Sequence, residues 1–172
     1  MSVKEQKHTI SVLVENKFGV LARIAGLFSA RGFNIDSLAV GETEDPSVSR
    51  MTIVVKGDEK ILEQVEKQLN KLIDVVKVSN YVQTPHLETD LALIKVKADK
   101  KNLAKIQKIA ESFEAKIADK SPDCVIVEAT GDEKTITALI AKLQAFGIRE
   151  MSRTGILAMA RGGKTLTANG SV

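Results

Sequence analysis

The stretch HTISVLVENKFGVLARIAGLF, residues 8–28, decides the fold. From His8 to Val14 the apolar residues Ile10, Val12 and Val14 recur at every second position, the period of a strand. The period then changes. Val20, Leu21, Ile24, Leu27 and Phe28 fall at helical spacing, and Arg31-Gly32 ends that helix. Between the two lies the polar turn Glu15-Asn16-Lys17-Phe18-Gly19. A turn just before a helix exposes free backbone N–H groups, and the helix dipole makes the spot attractive to a carboxylate. Gly19 lets a ligand approach the backbone with no Cβ in the way. Asn16 offers a donor and an acceptor beside it. The arrangement suits a small zwitterion such as a free amino acid, and it lacks the look of a catalytic centre.

Outward from this stretch the strand and helix periods keep alternating. Phe33 to Val40 returns to strand character. Gly41 to Pro46 is a polar turn. Met51, Ile53 and Val55 alternate in a third strand-like segment. Asp58 then reads as an N-cap with Glu59 in the first turn, and Ile61, Leu62, Val65, Leu69 and Leu72 stripe a second helix. Val75 to Val82 closes the unit. The order β-α-β-β-α-β is the ferredoxin-like split motif. After a short linker around residues 84–89 the same order resumes, with strands over Leu91 to Ala98, Lys116 to Ala118, Cys124 to Ala129 and Ile148 to Ala160. One helix between them is striped by Leu103, Ile106, Ile109, Ala110 and Phe113. Another is striped by Ile136, Leu139, Ile140 and Leu143. Gly57-Asp58-Glu59-Lys60 and Gly131-Asp132-Glu133-Lys134 stand at equivalent places, so the chain reads as two related α+β halves. The expected divisions are residues 1–83, 90–161 and a flexible tail over 162–172.

Composition narrows the function. Of 172 residues, 44% are hydrophobic, 27% charged and 3% aromatic, so the core is mainly aliphatic in an ordinary globular protein. The net charge of +3 is too small to imply nucleic acid or an anionic membrane. RNA-recognition domains share the βαββαβ order, but they need stacking aromatics on their central strands. Ser49-Arg50-Met51-Thr52-Ile53-Val54-Val55 has none. Cys124 is the only cysteine, so no intrachain disulfide forms, and its apolar surroundings suggest a buried thiol. His8 and His86 lie far apart with no cysteine nearby, poor material for a metal site. No apolar run approaches a bilayer span, and Met1 to Lys7 lacks the apolar core of a signal peptide. The expected compartment is the cytoplasm.

The run ISVLVENKFGVLARIAGLFSARGFNIDSLAV (residues 10–40) resembles an ACT domain, the βαββαβ module that senses small molecules. With Ser49-Arg50-Met51-Thr52-Ile53, Leu69 to Val78, Ala92 to Val96 and Arg153-Thr154-Gly155-Ile156, it is similar to the small regulatory subunits of acetolactate synthase, also called acetohydroxyacid synthase. The resemblance extends from about His8 to Arg161. It implies a non-catalytic protein that activates a thiamine-diphosphate-dependent catalytic subunit and confers feedback inhibition, usually by valine, in branched-chain amino-acid biosynthesis. It implies a homodimer and no cofactor in this chain, with thiamine diphosphate, magnesium and FAD belonging to the catalytic subunit. Effector pockets in the family lie between two ACT domains. Carried over, the turn of one protomer supplies Asn16, Gly19, Val20 and Leu21, and the second strand of the other supplies Asn34 and Ile35. Phe18 stands where many relatives have a small or polar residue. Without the resemblance, Asn16 reads as a turn former and Asn34 as a solvent-facing polar residue.

One other reading of the same residues stays open beside this one. A free-standing amino-acid sensor acting on another partner would share the fold and the pocket. The edge position expected for the Phe33 to Val40 strand, with one charge and no proline, invites pairing with a second copy. Arg161-Gly162-Gly163-Lys164-Thr165 resembles part of a phosphate loop, but the first glycine of that pattern falls at Ala158, so the pattern fails. Asn169-Gly170-Ser171 matches a glycosylation acceptor that a cytoplasmic chain would never use. The Lys100-Lys101 to Lys108 cluster reads as a solvated helix face.

Overall fold

The computed structural model describes residues 6–168. The first half runs β1 (Gln6–Glu15), α1 (Val20–Ala30), β2 (Ile35–Glu42), β3 (Val48–Gly57), α2 (Glu59–Leu69) and β4 (Val75–Asn80). The second runs β5 (His86–Lys97), α3 (Leu103–Ser112), β6 (Lys116–Lys120), β7 (Cys124–Gly131), α4 (Glu133–Gln144), β8 (Ile148–Arg153) and β9 (Leu157–Ala160). The βαββαβ order expected from the sequence is present twice, in an α+β chain. Two compact units result: residues 6–87 with 158–168, and residues 88–157.

In the first unit an antiparallel sheet has the order β2-β3-β1-β4. β1 and β3 pair along their whole lengths, from Gln6 opposite Gly57 to Glu15 opposite Val48. Their alternating residues Ile10, Val12, Val14, Met51, Ile53 and Val55 form one core with Ile24 and Phe28 of α1 and Leu62, Val65 and Leu69 of α2. Each such aliphatic side chain, when fully buried, contributes about 1.5–3 kcal/mol. The opposite face of β1 is also covered, because Ser11 and Leu13 are as inaccessible as the core residues. The second unit repeats the plan in an antiparallel sheet ordered β6-β7-β5-β8. Its core joins Ile94, Val96, Val125 and Val127 to Ile106 of α3 and to Ile136, Leu139 and Leu143 of α4.

The repeated Gly-Asp-Glu-Lys sequence has one structural purpose in both units. Asp58 Oδ1 accepts from the N–H of Ile61 at 2.9 Å and Asp132 Oδ1 from that of Thr135 at 2.8 Å, each an N-cap bond of the kind that satisfies an orphan helix donor. The preceding glycine leaves room for the capped residue. A Cβ on Gly57 would lie 2.8–2.9 Å from Ile61, and one on Gly131 would lie 3.0 Å from Thr135 Cγ2.

Several boundaries differ from the sequence reading, four of them with consequences. β2 begins at Ile35 and continues to Glu42, so Asn34 precedes the strand and Gly41-Glu42 belongs to it. β5 begins at His86 and takes up most of the segment read as a linker. The strand expected over Ile148 to Ala160 is broken between β8 and β9. At the break Gly155 has φ 80°, and a buried charge is satisfied. Asp90 is fully buried; Arg153 donates to its Oδ2 through Nε at 2.7 Å and also through Nη2, and the Thr154 hydroxyl lies 3.2 Å from its Oδ1. A buried carboxylate requires such partners, and supplying them bends the chain out of the ladder. Finally, part of the segment read as a flexible tail lies on the first unit without regular structure. Arg50 Nη2 donates to the Leu166 carbonyl at 2.6 Å. Residues 169–172, with the glycosylation-like Asn169-Gly170-Ser171, lie outside the described residues, as do residues 1–5.

Arg153→Ala leaves the Asp90 carboxylate buried without its partner, so the second unit loses about 3 kcal/mol, read as a lower urea midpoint. Acid acts on a second group of carboxylates. Hydrogen bonds from Ser47, Asn102, Arg149, Thr135 and Lys95 hold Asp45, Asp99, Asp123, Asp132 and Glu150, respectively, below their ordinary carboxylate values. A depressed folded-state value stabilises above the unfolded value and is lost as protons bind. Unfolding by urea at a series of pH values should show a flat midpoint near neutrality and a decline below about pH 4.

Candidate functional site

The turn after β1 is tied at both of its sides. Glu15 N–H donates to the Asp74 carbonyl at 2.8 Å and Asn16 N–H to the Ser47 carbonyl at 2.7 Å. The Asn16 amide donates to Glu42 Oε1 at 3.0 Å and to the Pro46 carbonyl at 2.9 Å. Asn16 thus pins the turn to the hairpin between β2 and β3. The hairpin is itself ordered by Asp45, whose Oδ1 accepts from the Ser47 N–H at 2.9 Å and from its hydroxyl at 2.7 Å. Asn16 Oδ1 has no protein partner among the described residues and remains available as an acceptor.

Gly19 follows with φ 83° and ψ −8°, a left-handed conformation that glycine adopts without strain. It occupies the N-cap position of α1, where no side chain caps the helix and no acidic residue stands in the first turn. The opening N–H groups therefore present a partial positive charge without an internal carboxylate to neutralise it. A Cβ on Gly19 would lie 3.4 Å from Arg23 Nη1, and Arg23 Nε is held by Asp74 Oδ2 at 2.7 Å. Val20 is 3% exposed and its side chain serves the core, while its N–H donates to the Lys17 carbonyl at 3.4 Å. Leu21 is 46% exposed and Phe18 fully so.

Asn34 and Ile35 lie elsewhere. Asn34 is exposed, and its amide donates to Asp36 Oδ1 at 3.3 Å. Ile35 packs against the edge of the core. Ile35 stands opposite Val55, and Val55 stands opposite His8. Glu42, beside Asn16, stands at the other end of the ladder, opposite Ser49. The length of β1 from His8 to Glu15, ~23 Å at the usual rise per residue, separates the two groups. Within one chain the structure brings Asn16, Gly19, Val20 and Leu21 together and leaves Asn34 and Ile35 at the opposite end. β2 is the outer strand of its sheet, so its far edge is open among the described residues.

The other chemistry-bearing residues take bland places. His8 Nε2 lies 3.0 Å from the Gly57 carbonyl. His86 stacks on Tyr81 at 4.8 Å, with Nδ1 2.8 Å from the Thr84 carbonyl. Cys124 is half-buried rather than buried. Lys100, Lys101 and Lys108 are exposed. Among the described residues no cluster of three or more His, Cys, Asp or Glu could hold a metal, and no helix is long and apolar enough to cross a membrane. The partners of Asn16 were not foreseen from sequence. The signal was the Asp-Pro-Ser turn at 45–47, whose side-chain bonds build a rigid hairpin tip.

The βαββαβ unit with an uncapped, glycine-led helix and an open edge strand fits the ACT-domain class, and the family matches assign it there. Residues 10–77 match the family described as AHAS small subunit-like ACT domain, and residues 89–162 match the small subunit of acetolactate synthase. The chain is 54% identical to a probable acetolactate synthase small subunit of Archaeoglobus fulgidus, over 92% of this chain and 99% of that one. It is 50% identical to an acetolactate synthase small subunit of Aquifex aeolicus, over 91% and 82% of the respective chains. The crystal structure of the Thermotoga maritima acetolactate synthase small subunit superposes with a TM-score of 0.86 at 43% identity, covering 92% of this chain and 99% of that chain. The chain belongs to the acetolactate synthase small-subunit family.

Asn16→Ala removes both side-chain bonds to the hairpin. It should cost about 1 kcal/mol and speed amide exchange at residues 43–48 more than in α2. Equal acceleration at both places would mean that Asn16 does not pin the turn.

Proposed function

We propose that the protein is the regulatory partner of the acetolactate synthase catalytic subunit, and that two copies bind a branched-chain amino acid, valine first, between their first units. The observation that carries this reading is the division of the six candidate residues between opposite ends of a sheet whose β2 edge is open. One chain cannot close a pocket from residues ~23 Å apart. Antiparallel pairing of β2 with β2 of a second copy, about a two-fold axis, turns the Asn34 end of one protomer toward the Asn16 end of the other and makes two identical pockets.

In such a pocket the amino acid's carboxylate meets the N–H groups of Gly19 to Leu21 at the start of α1. Its ammonium is held by Asn34 Oδ1 or a backbone carbonyl of the partner. Its branched side chain lies on apolar atoms, Leu21 and Ile35 among them. One methylene more or less changes apolar binding by only ~1–3 kcal/mol, so valine, leucine and isoleucine are separated poorly. Binding selects one dimer geometry and so alters how the catalytic subunit is held, a coupling between two sites through one equilibrium. The chain itself supplies no catalysis. Thiamine diphosphate, magnesium and FAD belong to the catalytic subunit, and the setting is the cytoplasm.

Thermal melts of the full chain with millimolar valine, leucine or isoleucine test the reading. A ligand at a hundred times its dissociation constant adds ~2.7 kcal/mol to the native state, which moves the midpoint by several degrees. The shift should be specific to branched side chains and absent in Asn34→Ala. Gly19→Asp places a carboxylate where the ligand's own should sit; it should abolish feedback while the catalytic subunit is still activated. Normal valine inhibition in Gly19→Asp would rule out this placement.

A further inference from the structure

The first unit contains a second candidate site, on the face of its sheet away from the helices and apart from the turn at Gly19. There the segment 162–168 lies against β3 and β4. It is fixed by the bond from Arg50 Nη2 to the Leu166 carbonyl, and Leu166 lines a small cavity with Leu13 and Val48. Beside this anchor a cavity of about 550 Å³ opens, lined by Arg50, Lys77 and Ser79 of the sheet, Tyr81 beyond β4, and Lys164 and Thr165 of the segment. Glu44 is its one carboxylate.

The lining has the chemistry of an anion receptor. Three cations and one carboxylate leave the cavity with two positive charges in excess. Hydroxyls of Ser79, Tyr81 and Thr165 add donors that need no charge of their own. Arg50 brings one of the three positive charges. One end of its guanidinium is committed to Leu166, while its Nε is buried with no hydrogen-bond partner. The N–H groups its guanidinium leaves uncommitted and accessible are matched by an oxyanion. The Gly-Lys-Thr sequence that fails as a phosphate loop, for want of a glycine at 158 and a following helix, nevertheless delivers its lysine and threonine to this cavity. The volume lies within the range of small-molecule pockets.

We propose that this cavity binds the phosphate group of a small molecule. A phosphate monoester carries close to two negative charges at neutral pH and three acceptor oxygens, which matches both the excess charge and the number of donors. A monocarboxylate, with two acceptor oxygens, would answer fewer of the hydroxyl and guanidinium donors. The ligand would also bridge β3 and β4 to Lys164 and Thr165, so it would fasten the segment 162–168 to the first unit.

Calorimetric titration of the full chain tests this, with inorganic phosphate and glycerol 3-phosphate as probes and with acetate and chloride at matched ionic strength. Saturable binding of a phosphate probe at millimolar concentration or below is expected, without saturable binding of acetate. Lys164→Gln, on an exposed residue whose loss leaves the sheet intact, should weaken it about tenfold. Arg50→Lys, which keeps the charge and loses the fork, should weaken it too. Tighter binding of the monoester than of inorganic phosphate would assign the rest of the cavity to an organic group, and equal binding would assign the site to the free ion. No saturable phosphate binding, acetate binding as tight as phosphate, or equal affinity in Lys164→Gln would each overturn the proposal. The valine response at the other site should be retained in Lys164→Gln, so the two sites can fail separately.

Discussion

The antiparallel pairing of β1 with β3 is the constraint on which the first unit depends. It is continuous from Gln6 to Glu15, and both faces of β1 are buried between its ends. With the pairing to β3 continuous and alternate residues committed to opposite faces, a slip of one residue would exchange Ile10, Val12 and Val14 for Ser11 and Leu13 against the helices. The register is therefore fixed, and it fixes what happens at the ends. At one end it brings the turn of Asn16 and Gly19 against the hairpin at Asp45. At the other it leaves Asn34 and Ile35 at the start of an outer strand.

This geometry explains why so few residues in the first unit look specialised. An amino acid needs two opposite charges met a few ångströms apart, and under the function proposed above the donors for its carboxylate would be backbone groups at an uncapped helix start. No charged side chain is required at that point, and none stands in the first turn of α1. What the site needs instead is a glycine at φ 83° and a turn held still, and Asn16 supplies the second through Glu42 and Pro46. Stability of the turn and readiness for a ligand then come from the same bonds.

The second unit spends the same plan differently. Its caps at Asp132 and Gly131 copy those at Asp58 and Gly57, which is why the repeat could be seen in the sequence. Its outer strand β6 is short and irregularly paired, and Lys116, Asp119 and Lys120 line it with charge, devices that discourage edge pairing. The buried Asp90 with Arg153 and Thr154 has no counterpart in the repeat pattern. It ends one strand and starts another where hydropathy alone read a single strand.

The sequence by itself determined the two βαββαβ units, their caps and the polar turn before α1. These rest on local rules: periods of two and of 3.6, a glycine before an aspartate, a polar turn before a helix. It also carried the family, through the run from Ile10 to Val40. Only the tertiary structure decided that Asn16 is bound to Glu42 and Pro46, that Asn34 stands a strand's length away from it, and that the segment after Gly162 lies on the sheet beside Arg50. Each of those depends on which residues distant in sequence meet across a ladder or over a sheet face. Hydropathy patterns record which side of an element is buried, and they do not record what buries it.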